Sequence, residues 1–170
     1  SMDGFRADYL DRTYTPNFDQ MAANGVKAKS MKPVFVSKTF PNHYSLATGM
    51  YAENHGLIAN SFYAPLLDDY YSIYDRSKVE DGKFYGGEPI WMTAENQGLK
   101  AASFFWVGSE ASGQRPSIWK RYDQKVTFEA RVDSIMKWFS MPEKDRPRLI
   151  MLYFHEPDWT GHERGPNHPE

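Results

Sequence analysis

Cysteine is missing from this sequence of 170 residues. Its absence excludes disulfide-stapled scaffolds, zinc fingers with thiolate ligands, thiol nucleophiles and metal clusters held by thiolates. Any metal ion that the chain binds must therefore be held by side chains of Asp, Glu and His. The lack of cysteine leaves the cellular compartment open.

An excess of charge of either sign is also missing. The chain has 20 Lys and Arg residues against 22 Asp and Glu residues, a net charge of −2, so no basic field that would bind a nucleic-acid duplex or an anionic membrane is expected. Long hydrophobic runs are missing too. The longest wholly apolar run covers only 149–154, whereas a membrane helix needs about 20 residues. We expect neither duplex binding nor a membrane span in this chain.

What the sequence does contain is enough apolar material for one globular core. Hydrophobic residues make up 41% of the chain and charged residues 25%, and no internal repeat or Gly/Ser linker divides it. Residues 1–170 are therefore interpreted as one domain or part of one. The chain stops directly after a dense polar motif, so we expect it to be an excerpt of a longer protein.

Local patterns predict helices that alternate with apolar strands. Caps, glycine stops and apolar spacing predict helices over 15–24, 39–49, 88–96 and 127–139. Buried strands are predicted over 99–107 and 149–154, and a long loop with short strands over 51–87. The second strand is apolar on both faces, which is typical of a central parallel strand covered by helices. This order predicts an α/β/α layered sheet, in which ligands lie at the carboxyl ends of the strands.

Two details of these helices can be tested directly. In the first helix, Thr15 suits the cap position and Gly25 suits a left-handed stop. In the last helix, an apolar stripe at i, i+3, i+4 and i+7 predicts the face that packs on the sheet. The residues of this stripe are Val132, Ile135, Met136 and Phe139.

Three polar clusters lie where this architecture can use them: 3–4 at the start, 37–43 at a helix entry, and 156–162 after the buried strand. Asp158 and His162 are four residues apart, so both can reach one cation from a single helical turn. Such a spacing also occurs by chance. The position of this pair directly after the most buried predicted strand favours the metal-site interpretation. Asp3 is either a hard metal ligand at a strand end or a loop or cap aspartate.

Thr39 is the candidate nucleophile. No Ser-His-Asp arrangement can be assembled from the spacing, so a divalent ion is the available activator of its hydroxyl. Backbone N–H groups at a helix start favour an incoming phosphate. The alternative is that Thr39 merely caps its helix. We expect His43, His55, His155 and His168 to be structural or surface residues rather than metal ligands.

Seven short strings occur in one order along the chain: SMDGFR (1–6), TPNFDQMAANGV (15–26), KPVFVSKTFPNHYSLATG (32–49), NHGLIANSFY (54–63), FYGGEPIW (84–91), ASFFWVGSEA (102–111) and RLIMLYFHEPDWTGHERGP (148–166). Together they resemble the nucleotide pyrophosphatase/phosphodiesterase family of the alkaline phosphatase superfamily. The resemblance implies an alkaline-phosphatase-like three-layer α/β/α sandwich with a mostly parallel central sheet. Residues 1–170 would be the N-terminal portion of a single phosphodiesterase catalytic domain, so the fold would be incomplete in this chain.

The same resemblance implies a site in which two zinc ions bridge a phosphate. Asp3 and Thr39 would bind one zinc ion, and Asp158 and His162 the other. Thr39 would also form a phosphothreonine intermediate, and Asn60 would donate a hydrogen bond to a phosphate oxygen.

Three aromatic residues are implied as walls of a nucleobase slot. Phe40 follows the nucleophile directly, whereas Tyr122 and Tyr153 are matched by approximate position. The remaining zinc ligands, an Asp-His-Gly string and a further histidine, are expected downstream of this chain.

The implied activity is zinc-dependent hydrolysis of phosphodiester or pyrophosphate bonds in nucleotides, with release of nucleoside 5′-monophosphates. The substrate would be a nucleotide or another small-molecule phosphodiester. The alternatives are a phospholipid- or phosphomonoester-hydrolysing relative with the same metal centre, and a non-catalytic fragment. Since the family generally works outside the cytoplasm, an extracytoplasmic location is implied, whether periplasmic, cell-envelope or secreted. The lack of cysteine favours a bacterial periplasmic or cell-envelope origin.

Overall fold

The computed structural model describes residues 1–168, which form two compact units. The large unit comprises Ser1 with Val34–Tyr153, and the small unit comprises Met2–Pro33 with the residues from Phe154 onward. The large unit holds both hydrophobic cores of the described residues.

Seven α-helices occur within residues 1–168: α1 (Pro16–Asn24), α2 (Thr39–Thr48), α3 (Ala52–His55), α4 (Arg76–Val79), α5 (Ile90–Asn96), α6 (Phe128–Phe139) and α7 (Asp158–Arg164). The same residues form five strands: β1 (Ser61–Ala64), β2 (Asp69–Ser72), β3 (Ala101–Phe104), β4 (Ile118–Lys120) and β5 (Leu149–Leu152). Helices α1 and α7 belong to the small unit, and the other helices and all five strands belong to the large unit. In none of these helices is there a stretch long and apolar enough to cross a membrane.

A parallel sheet with the strand order β4–β3–β5 forms the framework of the large unit. Ala102 of β3 pairs with Ile118 on one side and with Ile150 on the other. Along β5, the side chains at 149 and 151 pack on one core and those at 150 and 152 pack on the other. The predicted layered α/β arrangement with parallel strands covered on both faces is therefore confirmed. Among the three strands β3 holds the middle position with β5 beside it, and directly after β5 Phe154 forms a parallel bridge with Met2.

Two cores lie against the two faces of this sheet. The first contains Tyr44, Ala47, Leu57, Tyr71, Val79, Phe84, Tyr85, Trp91, Ala101, Trp106, Val107 and Ala111. The second contains Ala102, Phe104, Phe105, Ile135, Trp138 and Tyr153. Aromatic side chains dominate both, and burial of each large apolar side chain stabilises the fold by roughly 1.5–3 kcal/mol.

The predicted packing face of α6 is wrong by about one residue. The buried side chains of this helix are Arg131, Ile135 and Trp138. Of the predicted stripe only Ile135 is buried, while the other three members are about half exposed. A prediction based on apolar spacing places every arginine at the surface. Arg131 is instead buried.

Arg131 can be buried because its polar atoms are satisfied. Its guanidinium donates hydrogen bonds to the carbonyl oxygens of Val126 and Tyr153. It also lies over the ring of Phe105, 4.9 Å from the centroid, and over that of Phe128 at 5.0 Å. These contacts offset the cost of removing the charge from water, so the helix turns this row of side chains inward.

The ends of the first two helices test the cap predictions. Helix α1 begins and ends as predicted, but Thr15 makes no side-chain cap, and its hydroxyl instead donates to Asp19 Oδ1 at 3.2 Å. Gly25 has φ −138°, so the predicted left-handed stop is wrong there. Helix α2 ends at Gly49 with φ +69°, and the Gly49 N–H donates to the carbonyl oxygen of Ser45 at 2.8 Å.

The segment 51–87 contains the predicted short strands as an antiparallel hairpin of β1 and β2, together with the short helices α3 and α4. Within it, Ile73 donates a backbone hydrogen bond to the carbonyl oxygen of Asn60 at 3.0 Å. The hairpin therefore fixes the backbone at Asn60, one of the predicted site residues.

Candidate active site

Thr39 is the first residue of α2, and it does not cap that helix. The N-cap position belongs to Lys38, whose side chain makes no capping hydrogen bond. In this structure Thr39 is therefore the first helical residue rather than the N-cap. Its half-buried side chain lies at the helix start, where the positive end of the helix dipole favours an anion.

Asn60 is hydrogen-bonded to the residue after the candidate nucleophile. Its Oδ1 accepts from the backbone N–H of Phe40 at 3.0 Å. Because the carbonyl end of the amide receives this bond, the NH₂ group is the end that can donate elsewhere. The structure thus brings Thr39, Phe40 and Asn60 together, with an amide donor next to the helix start.

Asn42 organises the loop that leads into α2. Its Oδ1 accepts from the backbone N–H of Val34 at 2.8 Å, and its Nδ2 donates to the carbonyl oxygens of Val36 and Lys38 at 2.9 and 3.0 Å. One side chain therefore fixes three positions of the segment before Thr39.

Phe40 rests on the first core. Its ring centroid is 6.3 Å from that of Tyr71, which is itself fully buried and hydrogen-bonded to the hydroxyl of Tyr85 at 2.8 Å. Burial raises the pKa values of both phenols, so they stay neutral and form a rigid aromatic floor beneath Phe40.

Tyr122 and Tyr153 lie in the second core region. Tyr122 packs its ring 5.1 Å from that of Phe105, and Tyr153 is a buried member of that core. Tyr153 also packs edge-on against His43 at 5.1 Å. These contacts give both tyrosines packing roles, and their part in a nucleobase slot stays a prediction.

In the small unit, Gly4 brings the backbone of Asp3 next to Asp158. The Asp3 N–H donates to the carbonyl oxygen of Phe154 at 2.9 Å, and Met2 forms a parallel bridge with Phe154. Gly4 has φ +66°, and a Cβ there would lie 2.7 Å from Asp158 Cα. Only glycine permits this approach between the two aspartate segments.

Asp158 and His162 lie on one turn of α7, as predicted. Their side chains approach to 3.5 Å between Oδ2 and Nε2, and the His162 side chain is 78% exposed. Two ligands of one tetrahedral zinc ion, each about 2.0–2.1 Å from the metal, are about 3.3 Å apart. The pair therefore fits a shared zinc ion. Among residues 1–168 no group of three or more Asp, Glu and His side chains is arranged to hold a metal, so this pair alone would supply only part of a ligand shell.

The other histidines occupy packing or surface positions, as expected. His43 and His55 are buried, His155 packs against Trp159 with ring centroids 4.2 Å apart, and His168 is exposed. Burial lowers the pKa of His55 below its usual 6.5. The sequence reasoning missed the contacts of His43 and Asn42, although the four-residue spacing of Thr39 and His43 on a predicted helix was a usable signal.

The parallel sheet is covered on both faces, which defines the chain as a three-layer α/β/α protein. Its candidate site residues lie at a helix start and after a strand. A family model described as type I phosphodiesterase / nucleotide pyrophosphatase matches residues 1–170. Venom phosphodiesterase CdcPDE of Crotalus durissus collilineatus is 46% identical over 98% of this chain and 20% of its own length. Human ectonucleotide pyrophosphatase/phosphodiesterase family member 1 is 44% identical over 98% of this chain and 18% of its own length. The chain belongs to the type I phosphodiesterase/nucleotide pyrophosphatase family.

Solved structures agree with this assignment. Murine ectonucleotide pyrophosphatase/phosphodiesterase 5 matches 99% of this chain and 45% of its own with a TM-score of 0.93 and 40% identity. An inactive threonine-to-alanine form of that protein, in complex with AMP, matches with a TM-score of 0.92. The predicted alkaline-phosphatase-like fold is confirmed. The chain spans about a fifth of the length of the curated relatives and under half of the solved chains.

Proposed function

We propose that the complete protein hydrolyses phosphodiester or pyrophosphate bonds in nucleotides and releases nucleoside 5′-monophosphates. Family membership supports this activity, as do the names of the relatives and the AMP bound to the murine one. The observation that carries the proposal is local. A threonine hydroxyl that does not cap its helix stands at the start of α2, beside an amide whose carbonyl end is already bonded to Phe40.

The chemistry follows from these groups. Thr39 Oγ1 forms a bond to phosphorus and its hydroxyl proton passes to solvent, while the bond from phosphorus to the leaving oxygen breaks and the leaving oxygen keeps the electron pair. The product is a phosphothreonine that still carries the nucleoside. Water then attacks phosphorus, the bond to Oγ1 breaks, and the nucleoside monophosphate leaves. In both steps Asn60 Nδ2 donates to a phosphate oxygen, where negative charge builds up. The inactive threonine-to-alanine form of the murine relative supports a role for threonine.

Two zinc ions are proposed as cofactors. Asp158 and His162 would hold one, consistent with their separation of 3.5 Å, and Asp3 is proposed as a ligand of the other, to which the family resemblance also assigns Thr39. When bound, zinc supplies Lewis-acid stabilisation of charge on the phosphate and lowers the pKa of a coordinated hydroxyl or water. The remaining ligands are expected from residues downstream of this chain.

Phe40 is proposed as one wall of a nucleobase slot, because its ring is supported by Tyr71 and lies next to the nucleophile. Stacking of a base on such a ring contributes roughly 1–3 kcal/mol. Tyr122 and Tyr153 remain proposed partners in this slot. An extracytoplasmic location is proposed as well, since the relatives are named as venom and ecto-enzymes.

The experiment compares three substrates with the complete protein. A p-nitrophenyl ester of a nucleoside 5′-monophosphate, p-nitrophenyl phosphate and a phosphatidylcholine vesicle represent nucleotide, monoester and lipid hydrolysis. We expect preferred cleavage of the nucleotide ester, loss of turnover after chelation and recovery with zinc, with metal content measured by elemental analysis. Preferred hydrolysis of p-nitrophenyl phosphate or of phosphatidylcholine would instead indicate a phosphomonoester- or phospholipid-hydrolysing enzyme. Full activity of demonstrably metal-free protein would contradict the zinc assignment.

A further inference from the structure

His43 is a buried histidine whose two ring nitrogens both have partners. Its Nδ1 lies 2.8 Å from the carbonyl oxygen of Thr39, and its Nε2 lies 2.9 Å from the hydroxyl oxygen of Ser1. The residue is only 5% exposed. The rings of Trp106 and Tyr153 pack edge-on against it at 5.3 and 5.1 Å, and Trp106 Nε1 donates to the His43 carbonyl oxygen at 3.0 Å. The imidazole is thus held in one orientation.

The hydrogen bonds also determine where the ring proton lies. A carbonyl oxygen can only accept, so Nδ1 must carry a hydrogen and donate it to Thr39. In the neutral ring Nε2 then accepts from the hydroxyl of Ser1, which precedes Asp3 by two positions in the chain. His43 therefore connects the main chain of Thr39 to the side chain of Ser1.

The peptide group between Thr39 and Phe40 is held at both ends. His43 Nδ1 donates to its carbonyl oxygen, and its N–H donates to Asn60 Oδ1. Two side chains from different parts of the chain thus fix the plane of this peptide, and with it the backbone torsion that directs the Thr39 side chain. A nucleophile must be aimed to within a fraction of an ångström, because a misplacement of about 1 Å can cost about 100-fold in rate.

We propose that His43 is a positioning residue that aims the Thr39 hydroxyl by clamping the Thr39–Phe40 peptide together with Asn60. This inference rests on the proposed function, in which Thr39 is the nucleophile. His43 itself touches neither the substrate nor the reacting atoms. Its effect is on the orientation of Thr39, so it acts on kcat rather than on substrate binding.

Two substitutions separate the two bonds of His43. In His43→Asn the amide nitrogen can take the place of Nδ1, so the bond to Thr39 can be kept. In His43→Gln the amide lies further out, at the place of Nε2, so the bond to Ser1 can be kept while the one to Thr39 is lost. We expect His43→Gln to lower kcat for the nucleotide ester by about 10- to 100-fold with little change in KM, and His43→Asn to retain most of the rate.

His55 provides a matched control in the same chain. It is also buried and also bonded to a serine, with Nε2 2.8 Å from Ser45 Oγ, but its Nδ1 accepts from the backbone N–H of Leu57. His55→Gln should lower stability while leaving kcat per folded molecule near that of the wild type. Denaturation curves on all three variants correct each rate for the folded fraction.

A second measurement does not depend on activity. Nitrogen NMR of the complete protein with labelled histidine should show His43 in the Nδ1–H tautomer, and His55 in the Nε2–H tautomer. Finding Nε2–H at His43 would overturn the clamp whatever the rates are.

The kinetic outcomes distinguish a failure of the positioning role of His43 from a failure of the proposed function. Normal wild-type turnover with equal losses in His43→Asn and His43→Gln, in proportion to stability, would overturn the positioning role alone. Absence of nucleotide turnover in the zinc-loaded wild type would overturn the proposed function, and the positioning role with it.

Discussion

Asn60 shows how one hydrogen bond can settle the chemistry of a side chain. An amide has a donating end and an accepting end, and sequence cannot say which of them faces a ligand. The bond from the Phe40 N–H to Oδ1 leaves Nδ2 as the end available to donate. Thr39 is a second case in which the sequence leaves a side chain's role open. A threonine before a helical segment is a typical N-cap, but in the structure Lys38 occupies the N-cap position.

Replacing Asn60 by aspartate tests this orientation. Asn60→Asp keeps the oxygen that accepts from Phe40, so the fold should be retained, but it replaces the donor with an anionic oxygen that repels phosphate. We expect kcat/KM for the nucleotide ester to fall by about 10²–10³-fold. Asn54→Asp adds the same charge at an exposed position of α3 and should have little effect. A similar rate for Asn60→Asp and the wild type would remove Asn60 from the phosphate site.

His55 gives the large unit a pH dependence whose sign can be worked out. Its folded pKa is lowered by burial below the usual 6.5, so the unfolded chain binds a proton that the folded chain rejects. The contribution of His55 to the free energy of unfolding should therefore be constant above about pH 7 and fall as pH decreases through 6.5 toward the folded pKa. Urea denaturation at several pH values measures this slope. The slope should be reduced in His55→Gln, and an unchanged slope would show that another group is responsible.

At the scale of elements, the sequence predicted which helices and strands form better than it predicted which of their faces are buried. Helix α6 was predicted within one residue of its start, yet the buried row contains Arg131. A hydrophobic pattern assigns charged residues to the surface, so it cannot anticipate an arginine whose donors are satisfied by carbonyl oxygens. Strand β5 was predicted to be covered on both faces because its residues are apolar throughout, and alternation between the two cores bears this out.

The turn at Gly4 is an element-scale feature with a measurable consequence. Gly4→Ala would place a Cβ 2.7 Å from Asp158 Cα, which neither backbone can accommodate without moving. We expect zinc affinity, measured by competition with a chromophoric chelator, to fall by about tenfold or more, as when groups that orient metal ligands are lost.

Gly98→Ala is the matched control for this prediction. Gly98 also has a positive φ, +80°, but its added Cβ would meet open space. It should therefore lose about 1 kcal/mol of stability from backbone strain and keep its zinc affinity. Equal zinc affinity in Gly4→Ala and the wild type would show that the approach of these two segments does not matter for the metal.

At the scale of the whole molecule, the fold and the family were predictable from ordered motifs, but the contacts among the candidate site residues were not. Asn60 meets Phe40 across 20 positions and His43 meets Ser1 across 42. Such pairings depend on how loops and helices pack, and no local periodicity encodes them. The domain extent, the zinc ions and the roles of all the candidate site residues stay predictions, because they depend on residues or ligands beyond those described.

The most direct test of the account is a rapid acid quench of the complete, zinc-loaded protein during turnover of a nucleotide labelled at the phosphorus under attack. We predict that the label is covalently attached to the peptide that contains Lys38, Thr39 and Phe40. It should remain detectable in Thr39→Ser, which keeps a hydroxyl, and disappear together with turnover in folded Thr39→Ala, whose stability should change little because Thr39 is not a cap. Normal turnover by folded, zinc-loaded Thr39→Ala without any labelled peptide would contradict the covalent mechanism.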